Sequence, residues 1–134
     1  MTTVLVPVRY PPTSHSLETL KRAIQIAEDE DAELVVLHIN LYQNGRGVSQ
    51  EELKRAVETE VGRVPNARFN VVNGFLVEET ILEEVAAEQV DIIVIGHKQV
   101  GRWRRAFNRL IDDPDIASYL EAHVDCDLVV VPPA

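Results

Sequence analysis

Along the chain, short unbroken aliphatic runs alternate with stretches in which apolar residues recur every three to four positions. Residues 3–8, TVLVPV, form a β-branched run that ends at Arg9 and the turn-rich YPPTS, and this predicts a buried first strand. Leu17, Leu20, Ile24 and Ala27 then repeat at helical spacing, with Ser14 or Ser16 as the cap and an end near Asp29. Residues 32–39, AELVVLHI, give a second strand, apolar at nearly every position and so covered on both faces. A polar loop, NLYQNGRGVS, leads to Ser49 and Glu52, the two ends of a capping box, and to a helix carrying Leu53, Val57 and Val61 that stops at Gly62 and Pro65. RFNVVNG reads as a third strand, and Val77, Ile81 and Val85 line a third helix up to Gln89. DIIVIG, residues 91–96, is a fourth strand. Ile116, Tyr119, Leu120 and His123 mark a fourth helix, and DLVVVPP closes the chain as a fifth strand.

Five strands alternating with four helices predict an α/β fold: a single doubly wound five-stranded parallel sheet flanked by helices on both faces. Right-handed crossovers between parallel neighbours put helices on each side. The whole of residues 1–134 reads as one domain, a size at which a core of its own is expected. Ligands of such sheets gather outside the carboxyl ends of the strands where the strand order reverses, which brings Val8 and Arg9 near the Gly96–Gly101 segment.

Composition narrows the picture. Thirteen Lys and Arg against twenty-two Asp and Glu give a net charge of −9, which opposes broad contact with nucleic acid or anionic membrane. Arginine outnumbers lysine ten to three, and this acidic, lysine-poor, valine-rich mixture matches salt-adapted proteins. The first residues have neither the basic nor the apolar region of a signal peptide. The longest purely aliphatic runs hold four residues, against the roughly 20 that span a bilayer. A soluble cytoplasmic protein is expected, and the single cysteine, Cys126, excludes an internal disulfide.

Several chemistries lack their residues. His15, His38, His97 and His123 show no metal-ligand spacing, so no metal is expected. His38, inside an apolar strand, reads as a satisfied core histidine. No Gly-x-Ser-x-Gly elbow, Walker phosphate loop or Rossmann glycine fingerprint occurs. With no nucleophile beside a placed base, an enzyme is not expected, and weak nucleotide hydrolysis is the most remote option.

Two readings stand for the segment after the fourth strand. Lys98, Arg102, Arg104, Arg105 and Arg109 put five of the thirteen basic residues within twelve positions. In one reading guanidinium forks clamp an anion such as a nucleotide. In the other the arginines are a solvated face paired with Asp112, Asp113 and neighbouring glutamates. As a helix the segment would set Trp103, Phe107 and Leu110 or Ile111 on one face and Arg102, Arg105 and Arg109 on another.

VLVPV followed by an amphipathic helix, then AELVVLHI, DIIVIG and finally AHVDCDLVVVP, together resemble the universal stress protein family over nearly the whole chain. The resemblance implies a binding or signalling module in stress adaptation, with dimers that pair through the last strand. An unidentified protein partner fits the same role. Leu128, Val129, Val130 and Val131 are the dimer residues it implies, and an apolar strand at a sheet edge independently asks for a cover.

Nucleotide-binding members of that family carry an aspartate after the first strand. After the fourth strand they carry a glycine, two residues, a second glycine, nine residues, and Gly-Ser or Gly-Thr. Here Arg9 replaces the aspartate, Gly96 fits the first glycine, Gln99 stands at the second with Gly101 two further on, and Pro114 and Asp115 stand at the Gly-Ser position. Proline lacks a backbone donor and an aspartate repels phosphate, whereas Asp115 suits a helix start. No ATP site of the glycine kind is therefore expected. ATP or AMP would need another cradle, drawn from Val8, Arg9, Ile39, Ile95, Gly96, His97, Gly101, Arg102, Arg105 and Arg109.

Overall fold

Each aliphatic run becomes a strand of one parallel sheet. The computed structural model describes residues 2–44, 47–96, 120 and 123–131. In chain order the elements are β1 (Thr3–Pro7), α1 (Ser14–Asp29), β2 (Glu33–Leu41), a 3-10 turn (Tyr42–Asn44), α2 (Gln50–Val61), β3 (Ala67–Gly74), α3 (Val77–Glu88), β4 (Ile92–Gly96) and β5 (Asp127–Val131). The helix expected around Ile116 and Tyr119 falls outside the described residues except for Leu120 and His123, both helical.

The strand order is β3-β2-β1-β4-β5, so β1 is central and the order reverses beside it. Val4 to Pro7 run level with Leu34 to Leu37 of β2, while Val4 and Leu5 face Ile92 and Ile93 of β4. Pro7, which has no N–H, ends β1, and Val8 resumes the ladder by donating to the Leu37 carbonyl at 2.8 Å.

Alternation along the strands divides the core in two. On one face Leu5, Leu37, Ile93 and Ile95 pack with Val77 and Ile81 of α3 and with Leu120. On the other Val4, Val6, Val36 and Val94 pack with Leu20 and Ala23 of α1 and Leu53 and Val57 of α2. Both faces of the sheet are thus covered, as the runs predicted. Each fully buried aliphatic side chain contributes roughly 1.5–3 kcal/mol of transfer free energy.

Two local expectations are corrected. The cap of α1 is Thr13, whose extended backbone lets Oγ1 accept from the Ser16 N–H at 3.1 Å; Ser14 is already helical and Ser16 lies buried within the first turn. β2 runs two residues beyond Ile39, because Asn40 and Leu41 pair with Asn73 and Gly74 of β3. The other helix signals hold: Ser49 and Glu52 form the reciprocal capping box, and Gly62 at φ 78° ends α2.

Candidate ligand crevice at the carboxyl end of the sheet

The crevice is built where β1 separates its two neighbours, β2 and β4. Val8 and Ile95 lie at its base, but their side chains are consumed by the core, on opposite faces of the sheet. Neither therefore offers an apolar side chain to the crevice. Ile39 is partly buried against the α3 side. Gly96, itself buried, is the last residue of β4 and lies level with Val131 of β5. Arg9 follows directly on Val8 and is partly exposed. Of the other residues expected at this site, His97, Gly101, Arg102, Arg105 and Arg109 lie outside the described residues, as do Lys98, Gln99, Trp103, Arg104, Phe107, Pro114 and Asp115.

His38 ties the ends of β1 and β2 together. Its Nδ1 lies 3.0 Å from the Val8 carbonyl. A carbonyl only accepts, so Nδ1 is the donor of this bond. Partly buried and hydrogen-bonded, it is the satisfied histidine expected, and the Tyr10 ring stands edge-on to it with centroids 6.3 Å apart.

Beyond His38 the return of the chain is fixed by one side-chain amide. Asn40 donates from Nδ2 to the Val48 carbonyl at 3.0 Å and accepts from the Val48 N–H at 2.9 Å. Gly47 fits closely here, since a methyl group on it would come within 2.5 Å of Asn40 Nδ2. Further along, Tyr42 and Phe75 stack with centroids 4.5 Å apart, both exposed, and Gln43 Nε2 donates to the Phe75 carbonyl at 3.2 Å.

The placement of charge is a functional feature that the overall count concealed. No acidic residue occurs between Pro7 and Leu17, between Leu34 and Gln50, or between Phe69 and Val77. These are the stretches that form the carboxyl ends of β1, β2 and β3 and the loops after them. At the amino ends stand Glu28, Asp29, Glu30, Asp31, Glu33, Asp91, Asp125 and Asp127. The loops after β1, β2 and β3 are thus free of acid, while Glu51, Glu52, Glu78 and Glu79 stand in the first turns of α2 and α3 that follow two of them. Only the topology groups these segments, so composition and motif matching missed the pattern.

Among the described residues no group of three or more His, Cys, Asp or Glu is arranged to hold a metal, and no helix is long and apolar enough to cross a membrane. Cys126, partly buried at the amino end before β5, has its thiol pushed above the ordinary range by burial, to which Asp127, Asp91 and Asp125 add. Its neutral form is therefore favoured by folding. The corresponding stability is present below the unfolded-state thiol value and is lost as pH rises through the folded one. Alkylation of Cys126 in the native protein is expected to reach half its maximal rate at higher pH than in the urea-unfolded chain; coincident profiles would contradict this.

A model of the universal stress protein family matches residues 1–132. No curated protein matches the chain by sequence. Among solved structures, a universal stress protein in complex with cAMP is similar with a TM-score of 0.64 at 17% identity, over 97% of this chain and 96% of that one. The Archaeoglobus fulgidus universal stress protein in complex with dAMP gives 0.62 at 12% identity, over 98% of each chain. An Arabidopsis thaliana family protein with AMP bound gives 0.62 at 16% identity, over 100% of this chain and 93% of that one. At such identities the likeness is one of fold.

Proposed function

We infer the function from a plain premise: this chain belongs to the universal stress protein family. It acts as a cytoplasmic binding and signalling module in stress adaptation, without an enzymatic step and without holding ATP in the family's glycine cradle. The observation that carries this reading is Arg9 directly after β1, where nucleotide-binding members keep an aspartate. Gln99, Pro114 and Asp115 at the glycine positions support the same conclusion from sequence.

A second reading draws on the same charge pattern. Acid-free loops after β1, β2 and β3, with Arg9 in the first of them, suit an anion, and related folds have been solved with AMP, dAMP and cAMP. In this reading Arg9, Arg102, Arg105 and Arg109 hold the phosphate of a small nucleotide. Isothermal titration separates the two. ATP is expected to give no micromolar binding, and micromolar ATP binding that Gly96→Val removes would overturn the principal reading. Micromolar AMP binding abolished by Arg9→Ala would establish the second.

The protein further pairs as a homodimer through β5. Among the described residues this strand is paired by β4 alone, and Val130 is 38% exposed. An apolar strand at the edge of a sheet invites a partner. Light scattering at micromolar concentration is expected to give twice the 15.0 kDa chain mass; the chain mass alone would refute the pairing.

A further inference from the structure

β3 stands at the opposite edge of the sheet from β5, and among the described residues only β2 pairs with it. It is eight residues long against five for β5, so it offers the longer run of backbone to another strand. Which of its groups face outward follows from the register. The Leu34 N–H donates to the Asn66 carbonyl at 2.9 Å, and Leu34 lies level with Ala67. In a parallel ladder alternate residues bond a given neighbour. Arg68, Asn70 and Val72 therefore bond β2, while Phe69, Val71 and Asn73 turn their N–H and C=O groups away from it.

One of these outward groups has a side-chain partner. Gln50 donates from Nε2 to the Phe69 carbonyl. Gln50 is the first residue of α2, and the capping box of Ser49 and Glu52 fixes the turn that carries it. Further along α2, Leu53 and Val57 pack in the same cluster as Phe69. The helix thus holds the amide on an acceptor that an incoming strand would use. We propose that Gln50 closes the outer edge of β3 to strand pairing, and that the partner this edge fits once Gln50 is removed is the β3 of a second copy, antiparallel across a two-fold axis. Pairing at both edges would extend the sheet without limit, a consequence that rests on the β5 pairing proposed above; the closed edge itself does not.

Sedimentation velocity of the full chain over increasing protein concentration tests it. Each variant is compared with whatever species the wild-type chain forms, so failure of β5 pairing and failure of this proposal stay distinguishable. Gln50→Ala is expected to form a larger species than wild type, its self-association strengthened roughly tenfold, since a symmetric pair gains one freed acceptor from each copy. Glu51→Ala, the next residue of α2 and likewise exposed, is the control. It lowers the net negative charge, which by itself favours association, yet should sediment as wild type. Added to Gln50→Ala, Asn73→Pro removes an outward donor of β3 without touching the ladder to β2, and is expected to restore the wild-type species. Asn73→Lys, a charge at the same exposed position, should do likewise and decides the matter if proline lowers the urea midpoint. The proposal is overturned if Gln50→Ala sediments as wild type, if Glu51→Ala grows equally, or if the change at Asn73 leaves the growth in place.

Discussion

Replacing Leu5 by alanine is expected to lower the unfolding free energy by about 2–5 kcal/mol, the range for emptying a well-packed core site. Leu5 is fully buried on the central strand, level with Val35 on one side and Ile93 on the other. Its side chain belongs to the cluster beneath α3 that also holds Ile81, Ile95 and Leu120. These neighbours come from separate elements of a layered sheet and cannot close together without moving the backbone, so the cavity term should remain large. For a domain whose stability is typically about 5–15 kcal/mol, that is a large part of the whole. Urea denaturation should show a lower midpoint at unchanged slope. A loss under about 1 kcal/mol would contradict the central, two-sided placement of β1.

Gly74→Ala is expected to cost about 1–3 kcal/mol by overpacking. The constraint is space. A Cβ on Gly74 would meet Thr80 Oγ1 at 2.1 Å, with Thr80 Cβ and Cγ2 only 3.2 and 3.3 Å away. Rotating Thr80 exchanges one branch for the other and breaks the bond its hydroxyl donates to the Leu76 carbonyl at 2.7 Å. Thr80 is buried in the first turn of α3, so the clash would push the helix from the end of β3. Thr80→Ala removes the offending atoms. In that background Gly74→Ala should cost much less, with a coupling of about 1 kcal/mol or more in a double-mutant cycle. Equal costs in both backgrounds would show that Thr80 is not the obstacle.

The strands were legible because both faces of the sheet are covered: TVLVPV, AELVVLHI and DIIVIG carry no polar alternation and could be little else. For the same reason the sequence did not reveal which face each side chain joins. Val8 and Ile95 were placed in the crevice from their position at strand ends, yet both side chains turn into the core, on opposite faces. The capping box at Ser49 and Glu52 was readable because it needs two specific residues at one spacing. The cap of α1 was not, since Thr13, Ser14 and Ser16 offer three hydroxyls and only the backbone decides among them. β2 extends through Asn40 because β3 pairs with it there, a relation between residues 33 apart that no local pattern records. The family was legible through five fragments in order, and the match over residues 1–132 agrees.

The Thr3 N–H to Asp91 bond joins residues 88 apart, and β4 covers an edge of β1 that nothing earlier in the chain occupies. During synthesis the β3-β2-β1 half can therefore assemble while one side of the innermost strand still lacks its neighbour. Until Ile92 and Ile93 have left the ribosome, Val4 and Leu5 border an open, aggregation-prone seam.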